Sequence, residues 1–347
     1  MTAPAGTVLP AGRAAHEPPE ARGLARDAVR LLVGTPGGVS HHRFTDLPEL
    51  LAAGDLLVVN RSATLPAAVD VVDVIGGPPA GTDLVVHVST SRPDRSWLVE
   101  LRIRRDRGAT EPYPGGAAGD RLRLPGGASL RLRARHPGGR LWVADLDVGS
   151  VPSYLLAYGR PIRYGYVERD WPLSAYQTVF GTQPGSAEMP SAGRPFTAEL
   201  VTRLVTAGVG FAPVTLHTGV ASLESPEPPY PEWYEVPPTT ARLVNQTRAA
   251  GGRVIAVGTT ATRAVETVAA PDGSVRAGAG WTELVITPRR GVRAADGLLT
   301  GFHEPRSSHL DLLSAVAGEA LLASCYAAAV SEGYRWHEFG DLNLLLP

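Results

Sequence analysis

The periodicity of the apolar residues changes along the chain, and this change constrains the fold more than any other feature. Between residues 67 and 149, apolar and polar residues alternate strictly, as in WLVELRIR at 97–104 and LWVADLDV at 141–148. Glycine-rich turns separate five such segments, and no helical pattern lies between them. A period of two is typical of strands with one buried face. The region therefore predicts a small all-β barrel.

From residue 150 the pattern becomes an alternation of apolar strands with helices. Strands are predicted at 209–216, 253–257, 283–286 and 342–346, and helices at 196–207, 241–250, 261–269 and 309–330. This alternation favours a layered α/β domain, and residues 27–34 and 56–60 predict strands of the same sheet. The sequence thus predicts an α/β fold with three parts: a flexible N-terminal tail at 1–20, an α/β domain at 21–66 and 150–347, and an inserted small β-barrel domain at 67–149.

All 33 basic residues counted as lysine or arginine are arginine, because the chain contains no lysine. This excludes a Walker-A phosphate loop, a pyridoxal phosphate Schiff base and a protein kinase site. The net charge is −1, yet ten arginines against three acidic residues lie between 101 and 140. Such a basic barrel could follow a phosphate backbone, although arginines that only solvate its outer face would give the same pattern. The candidate RNA-binding residues are Arg121, Arg123, Arg131 and Arg133.

Several features bear on location and cofactors. The single cysteine, Cys325, excludes an internal disulfide and a thiolate zinc site, which fits a reducing cytoplasm. The N-terminus lacks the apolar core of a signal peptide, and the apolar stretch 312–330 predicts a buried helix, not a membrane span. No metal-binding histidine motif occurs. We therefore expect a soluble cytoplasmic protein without a metal or membrane contact, with monomer and homodimer both open.

One strand-to-helix turn could hold a ligand. The apolar strand at 253–257 runs directly into Gly258, Thr259 and Thr260 and then into a helix. Backbone N–H groups at a helix start, beside two hydroxyls, could hold a carboxylate, a phosphate or ribose hydroxyls. A tight turn with a threonine cap would give the same sequence. No G-x-G-x-x-G follows a strand, which disfavours a Rossmann dinucleotide site.

Two histidines occupy positions suited to proton transfer. His217 ends a predicted strand, where ligand sites lie in α/β sheets. His303 lies in a hydroxyl-rich loop immediately before the last long helix. A structural histidine is the alternative at each position.

A set of ordered segments is more specific than any single motif. They are GDLLVVN at 54–60, YQTVF at 176–180, GS at 185–186, PSAG at 190–193, FT at 196–197, TLHTG at 215–219, the block at 251–263 with Glu266, DGLLTGFHEP at 296–305, YR at 334–335 and GD at 340–341. Together they resemble the S-adenosylmethionine:tRNA ribosyltransferase-isomerase family of queuosine biosynthesis. The resemblance runs over nearly the whole chain and implies an α/β domain with an inserted β-barrel.

The resemblance implies that S-adenosylmethionine is used as a ribosyl donor, with no further cofactor. The ribosyl unit would join the aminomethyl group of a 7-deazaguanine base in tRNA and rearrange to give epoxyqueuosine, while adenine and methionine leave. His217 or His303 would transfer protons, and Asp341 or Glu266 would balance the sulfonium charge. Gly258, Thr259, Thr260 and Arg263 would hold the methionine carboxylate or the ribose. Further implied substrate-binding positions are Tyr176, Gln177, Ser191, Gly193, Thr215, Gly219 and Phe302.

Three segments depart from the family pattern. Residues 61–63 read Arg-Ser-Ala where the family has Asp-Thr-Arg, and residues 194–195 read Arg-Pro where it has Leu-His. Residues 226–238 are proline-rich where it has a segment with His and Glu. These departures leave two alternatives open: the same donor chemistry on a small-molecule amine, and a non-catalytic RNA-binding homologue.

Overall fold

The computed structural model describes residues 12–75, 83–105, 110–220, 230–303 and 309–347. Its helices are α1 (Leu47–Leu50), α2 (Val151–Tyr158), α3 (Ala198–Thr206), α4 (Pro238–Ala249), α5 (Thr259–Thr267), α6 (His309–Ala317) and α7 (Glu319–Ser331). Its strands are β1 (Arg30–Thr35), β2 (Gly38–Arg43), β3 (Leu56–Asn60), β4 (Ser62–Thr64), β5 (Ala68–Asp70), β6 (Asp73–Ile75), β7 (Leu84–Ser91), β8 (Trp97–Arg104), β9 (Thr110–Pro112), β10 (Arg121–Arg123), β11 (Ser129–Arg135), β12 (Leu141–Asp147), β13 (Gln183–Ser186), β14 (Gly210–Leu216), β15 (Glu232–Val236), β16 (Val254–Val257), β17 (Gly278–Thr282), β18 (Gly297–Gly301) and β19 (Leu342–Leu345).

A nine-stranded mixed sheet forms the centre of the molecule, in the order β17-β15-β14-β3-β16-β18-β19-β1-β2. Its middle strands β14, β3, β16 and β18 are parallel to one another. The apolar run of β3 is buried on both faces: Leu56 and Val58 pack into one core cluster, and Leu57 and Val59 into another. Parallel strands covered on both sides read as continuous apolar segments. The α/β class predicted from the sequence is therefore confirmed.

The second sheet is antiparallel and strongly curled, with the order β5-β7-β8-β12-β11-β10-β6 and β9 added beside β8. Its two end strands come from one short stretch, residues 68–75. The N–H of Val71 donates to the carbonyl of Leu84 in β7 (2.9 Å), and the N–H of Val72 donates to that of Arg123 in β10 (2.8 Å). The chain thus passes from one end of the sheet to the other within two residues.

Two local predictions were wrong. The helix expected at 309–330 is broken into α6 and α7, which meet at an angle of 115°. The break is at Gly318, whose φ of +75° does not continue a helix. Residues 283–286 were expected to form a strand, but the strand there ends at Thr282 and the buried side chain of Ile286 follows it in irregular chain. A short apolar run marks burial without fixing a strand.

Residues 12–20, which belong to the predicted tail, contact the body of the protein. Ala15 is buried, and its N–H donates to the carbonyl of Trp336 (3.1 Å). The carboxylate of Glu20 accepts a hydrogen bond from Arg194 (2.9 Å). Residues 1–11 of the tail lie outside the described ranges.

Within the described ranges, no single helix has the length and apolar character needed to cross a membrane. The bent pair α6 and α7 meets those criteria only when both helices are taken together.

Candidate active site

The carboxyl ends of the four parallel strands meet at one edge of the nine-stranded sheet, which we call the site edge. β3 ends at Asn60, β14 at Leu216, β16 at Val257 and β18 at Gly301. β19 runs antiparallel to β18, with Leu342 opposite Gly301, so its beginning lies at the same edge. Ligands bind at the carboxyl ends of parallel strands in open α/β sheets. Predicted positions that this topology brings to the site edge are His217, Gly258, Thr259, Thr260, Phe302, His303 and Asp341.

Asn60 joins β3, β14 and the start of α5 by hydrogen bonds at the centre of this edge. Its amide donates to the carbonyl of Leu216 (2.9 Å) and to the hydroxyl of Thr260 (3.1 Å). Its carbonyl oxygen accepts from the N–H groups of Leu216 (3.1 Å) and Ser62 (3.0 Å). A buried amide with this many partners rigidifies its surroundings. Asn60 therefore fixes the ends of β3 and β14 against the start of α5.

His217 is held in a single orientation beside the strand ends. Its Nδ1 lies 2.8 Å from the hydroxyl of Ser62, which in turn lies 2.6 Å from the hydroxyl of Ser186. The imidazole stacks on Trp233, with ring centroids 5.2 Å apart. A Cβ added at Gly185 would lie 2.4 Å from the imidazole. Burial lowers the pKa of His217 to about 4, so the ring is neutral at neutral pH.

The turn after β16 has the geometry of an open helix start. Gly258 has φ +91° and ψ 156°, a conformation essentially confined to glycine. Its N–H donates to the carbonyl of Leu299 (2.8 Å), while its own carbonyl accepts from Thr262. No side chain among the described residues caps α5, whose first turn carries Thr259 and Thr260. The N–H groups of this turn point beyond the end of the sheet, as in anion-binding helix starts.

A group of imidazoles lies beside the end of β18. The ring of His303 stacks on that of His309 at 4.4 Å, and its Nε2 lies 3.0 Å from the hydroxyl of Thr300. Burial lowers the pKa of His303 well below its usual value, and His309 and His337 add to the shift. Burial likewise lowers the pKa values of His309 and His337 to about 4. These rings are thus neutral near pH 7.

Arg263 is already engaged by a carboxylate. It forms a buried ion pair with Glu232, and its Nε donates to the carbonyl of Leu284 (3.1 Å). Glu232 also accepts from the N–H of Gly219 (2.8 Å). The pair therefore fixes the turn after β14, and the Arg263 Nη2 atom, buried and without a partner among the described residues, is its remaining donor.

Three further sequence-predicted positions are occupied by structural contacts. The hydroxyl of Thr215 is buried and accepts from Arg61 Nε (2.9 Å). The amide of Gln177 makes two hydrogen bonds with the backbone of Thr64. Phe302 lies in an aromatic cluster with Tyr326, Tyr334 and Trp336.

The two predicted carboxylates, Glu266 and Asp341, accept hydrogen bonds from other parts of the protein. Glu266 accepts from the N–H groups of Arg293 (2.8 Å) and Ala294 (2.8 Å) and from the guanidinium of Arg290 (2.8 Å). It anchors the segment before β18 and faces away from the strand ends. The oxygens of Asp341 accept from the N–H groups of Arg30 and Arg335 (2.8 Å each), while burial raises its pKa. These bonds give Glu266 and Asp341 structural roles.

The sequence reasoning missed a cavity beside the site edge. It is lined by Ser191, Arg194, His337, Glu338 and Gly340, among others. Ser191 and Gly193 belong to a short 3-10 helix, Ser191–Gly193, whose Ala192 lies in contact range of Gly258. The cavity thus adjoins the turn before α5.

Glu338 at this cavity and Tyr166, which donates to it, had no signal in the sequence, whereas Tyr176 is one of the positions that the family resemblance implies. Tyr166 donates to Glu338 Oε2 (3.2 Å), and its ring stacks on His337 at 4.2 Å. The hydroxyl of Tyr176 is buried without a partner among the described residues, and burial raises its pKa. Tyr166 and Glu338 are 172 residues apart in irregular chain, so no periodic pattern could have linked them.

The four candidate RNA-binding arginines share the outer face of the curled sheet. Arg121 stands directly opposite Arg131 in the pairing of β10 with β11, and both are exposed. Arg123 is also exposed, and Arg133 pairs with Asp94 (3.1 Å) and Asp145 (3.3 Å). Like charges directly opposite each other in a sheet are destabilising. An anionic partner would relieve this repulsion.

In the ranges 12–75, 83–105, 110–220, 230–303 and 309–347, no group of three or more His, Cys, Asp or Glu side chains is arranged to hold a metal ion.

Comparisons with known proteins agree over the length of the chain. A family model described as "Queuosine biosynthesis protein" matches residues 8–345. The S-adenosylmethionine:tRNA ribosyltransferase-isomerase of Moorella thermoacetica is 37% identical, covering 97% of each chain. That of Symbiobacterium thermophilum is also 37% identical, covering 92% of this chain and 94% of the relative. A crystal structure of the S-adenosylmethionine tRNA ribosyltransferase from Thermotoga maritima matches with a TM-score of 0.54 and 28% identity, covering 98% of this chain and 99% of that one. The chain therefore belongs to the queuosine biosynthesis protein family.

Proposed function

We propose that this protein transfers the ribosyl group of S-adenosylmethionine to the 7-aminomethyl-7-deazaguanine base of a tRNA and isomerises it, giving epoxyqueuosine-tRNA, adenine and methionine. The observation that carries the proposal is the match of the family along 8–345. Relatives that are 37% identical over nearly their whole length are S-adenosylmethionine:tRNA ribosyltransferase-isomerases, which supports the proposal. S-adenosylmethionine enters as a substrate, and no further cofactor is part of the proposal.

S-adenosylmethionine binds, in this proposal, along the site edge. The uncapped start of α5 suits the methionine carboxylate, because helix N-terminal N–H groups favour an anion. Thr259 and Thr260 then offer hydroxyls to the carboxylate or the ribose. Ser191, in contact range of the same turn through Ala192, borders the remainder of the ligand. Gly193 and Tyr176 belong to the same proposed surface.

The first chemical step needs a base near the ribose C5′, whose protons are acidified by the adjacent sulfonium. We assign this role to His217. Its Nδ1 is hydrogen-bonded to the hydroxyl of Ser62, while its Nε2 has no hydrogen-bond partner among the described residues. The ring is neutral at neutral pH because of its burial, so Nε2 carries a lone pair and no positive charge. His303, whose Nε2 is engaged by Thr300, serves as a relay in this scheme.

In this proposal, the tRNA binds the outer face of the curled sheet. Arg121, Arg123, Arg131 and Arg133 supply positive charge there, and phosphate contacts made by arginine give binding that weakens steeply with salt. We also propose that this sheet is a closed barrel inserted at 67–149 into an α/β domain at 21–66 and 150–347. The pairing of residues 68–75 with both β7 and β10 supports closure.

Two of the departures from the family pattern have structural partners. Arg61 forms an ion pair with Glu235 (2.6 Å) and a hydrogen bond with Thr215. Arg194 is bound by Glu20 and by the carbonyl of Ala175. Residues 221–229 of the proline-rich stretch lie outside the described ranges. These contacts favour neither of the alternative functions over the tRNA reaction.

The test is incubation of the purified protein with S-adenosylmethionine and a tRNA that carries the aminomethyl-deazaguanine base. We expect adenine and methionine in equal amounts, and a mass increase on the tRNA that matches the transferred ribosyl unit. A tRNA that carries guanine at the same position is the control. If adenine is released with a small amine and without tRNA, the acceptor is a small molecule and not tRNA. If tRNA binds but no adenine is released, the protein is an RNA-binding homologue without this activity.

We also propose a cytoplasmic location, because tRNA modification takes place where tRNA is. The protein is further proposed to be a monomer or a homodimer. Light scattering after gel filtration, with and without tRNA, measures the assembly.

A further inference from the structure

Three aromatic side chains form a row across adjacent strands beside the site edge. His217 follows β14, Trp233 lies on β15 and Trp281 on β17, and these strands are neighbours in the nine-stranded sheet. The rings of His217 and Trp233 stack, and Trp233 stands directly opposite Trp281 in the pairing of β15 with β17. Residues directly opposite each other in an antiparallel pair share one face of the sheet. This aromatic row thus runs from the proposed base to the end strand of the sheet.

Trp281 presents an exposed ring in a fixed orientation. It is 37% exposed, and its indole N–H donates to the carbonyl of Ser91 at the end of β7 (3.0 Å). The residues before it on β17 are Gly278, Ala279 and Gly280, so only the methyl group of Ala279 shares its face of the strand. A ring that is already fixed loses little conformational entropy when a ligand binds. Trp281 is therefore suited to contact a flat ligand from the solvent side.

The surroundings of Trp281 lead to the arginines of the curled sheet. Ser91 is followed by Arg92, whose Nε lies 3.8 Å from one carboxylate oxygen of Asp94. The other oxygen of Asp94 accepts from Arg133 (3.1 Å), one of the candidate RNA-binding residues. The turn at 92–95 reads Arg-Pro-Asp-Arg and so carries more positive than negative charge. A polyanion on the outer face of the curled sheet could thus continue to Trp281.

The carboxylates of β15 add no unpaired negative charge beside the aromatic row. Glu235 lies two residues from Trp233, hence on the same face, and pairs with Arg61 (2.6 Å). Glu232 lies on the opposite face and pairs with Arg263. The phosphate backbone of a nucleic acid would therefore not be repelled by this strand.

The position of Trp281 decides which part of an RNA it could contact. Neighbouring strands lie about 4.8 Å apart, so Trp281, two strands away, lies about 10 Å from His217. In the proposed reaction the acceptor base is near His217. A base that stacks on Trp281 therefore belongs to a nucleotide beside the acceptor and not to the acceptor itself.

We infer that Trp281 binds the RNA substrate by stacking on an unpaired base next to the nucleotide that accepts the ribosyl group. The inference rests on the proposed function, which supplies the identity of the substrate. Aromatic side chains bind unpaired bases by stacking, with little preference for sequence, because every base has a π face. Trp233, between Trp281 and His217, then lies along the path of the RNA towards the site edge.

The main test compares Trp281→Leu with Trp281→Phe in binding of a stem-loop RNA that has the sequence of a tRNA anticodon arm. Leucine keeps an apolar side chain but has no π face, whereas phenylalanine keeps a ring and loses the N–H. Trp281→Leu should bind the RNA about 5- to 150-fold more weakly than the wild type. Trp281→Phe should keep most of the affinity. Fluorescence anisotropy measures binding, and Val205→Ala, which changes another exposed apolar residue, is the control that should bind as the wild type does.

Two further readouts separate stacking from a structural role of Trp281. Stacking releases no counterions, so Trp281→Leu should lose the same factor in affinity at each salt concentration and keep the wild-type salt slope. A fully paired RNA duplex offers no unpaired base, so the wild type and Trp281→Leu should bind it equally. A folding defect would instead weaken binding of both RNAs.

Several outcomes would overturn the inference. They are wild-type affinity for the stem-loop in Trp281→Leu, an equal loss for stem-loop and duplex, and no binding of the stem-loop by the wild type. Equal losses in Trp281→Phe and Trp281→Leu would overturn it as well, because the hydrogen bond to Ser91 would then carry the effect. A wild-type dimer that separates in Trp281→Leu, with unchanged RNA affinity, would assign the ring to a contact between two copies of the chain.

Adenine release distinguishes failure of this inference from failure of the proposed function. If the wild type releases no adenine but its stem-loop binding depends on Trp281, the enzymatic function fails and the stacking site remains. If adenine is released and stem-loop binding is the same in Trp281→Leu, only the stacking site is rejected.

Discussion

The site edge differs from the outer face of the curled sheet in how charged groups are arranged. We call this outer face, which carries Arg121, Arg123, Arg131 and Arg133, the arginine face. Among the described residues of the site edge, the charged Arg263 is paired with Glu232, and the buried imidazole of His217 is neutral. On the curled sheet, Arg121 and Arg131 stand exposed and directly opposite each other. Buried charges must be matched because desolvation is costly, whereas solvated charges are cheap to keep. In the proposed function, catalysis and polyanion binding thus lie in regions with different dielectric surroundings.

The largest effect is expected from breaking the buried pair at the site edge. Arg263→Met should lower the free energy of unfolding by about 3–5 kcal/mol, because it leaves the carboxylate of Glu232 buried without its partner. The side chains of the pair are only 10% and 9% exposed. Urea unfolding at neutral pH measures the change. The double variant Arg263→Met/Glu232→Gln should recover part of the lost unfolding free energy. An Arg263→Met protein as stable as the wild type would contradict the contrast between the two regions.

The next effect concerns the arginine face and should appear in binding alone. Replacing Arg121, Arg123, Arg131 and Arg133 with alanine should weaken tRNA binding by roughly 100- to 1,000-fold near 0.15 M salt and flatten its salt dependence. Stability should hardly change, since these side chains are exposed. Filter binding over a series of salt concentrations is the measurement. Arg203→Ala/Arg242→Ala, at exposed positions on α3 and α4, is the control, and an unchanged salt slope in the fourfold variant would show that tRNA binds elsewhere.

A smaller effect follows from the neutral imidazole of His217. Its pKa is about 4 when folded and near the ordinary 6.5 when unfolded, so the unfolded chain binds more protons between these values. Stability therefore falls as the pH is lowered from 6.5 towards 4, by about 2 kcal/mol from this one group. Unfolding of the wild type and of His217→Asn at pH 7 and pH 4.5 isolates this contribution. The two proteins should differ less at the lower pH; a constant difference would show that His217 is solvated.

The smallest effect compares two arginines on the same strand. Arg131→Ser should change stability by less than about 0.5 kcal/mol, because it removes both the like charge opposite Arg121 and the opposite charge across from Asp145. Arg133→Ser should instead lower it by about 0.2–1 kcal/mol, because it removes ion pairs with Asp94 and Asp145. Thermal unfolding at low salt resolves the signs. Equal shifts in both variants would show that charge pairing on this face does not matter.

Local pattern was enough to predict much of the fold. The β3 strand and the alternating strands of the curled sheet follow directly from apolar periodicity, which depends only on neighbouring residues. Positions at strand ends, such as His217 and Gly258, could be inferred because the ends of parallel strands share an edge. The break at Gly318 was missed, since a single glycine is compatible with a helix until tertiary packing selects a positive φ.

The site was less predictable because its partners are distant in the sequence. Ser62 reaches His217 across 155 residues, and Asn60 reaches Thr260 across 200. The sequence could not indicate that the carboxylate of Glu266 would be fully hydrogen-bonded by the segment at 290–295. Nor could it indicate that Glu338 would keep one carboxyl oxygen without a partner among the described residues. Such outcomes depend on which backbone donors the fold brings near each carboxylate.

The pairing of β1 with β19 has a consequence for the order in which the chain folds during synthesis. Residues 31–34 pair with the nearby β2 on one side, whereas their partners on the other side are residues 342–345, and β3 finds its partners at 210–214 and 254–257. The curled sheet, by contrast, uses strands between 68 and 147 alone. Contacts close in sequence form sooner than distant ones. On the ribosome, the curled sheet is therefore complete while β3 and one side of β1 still lack their partner strands, and the site edge assembles only after β19 has been synthesised.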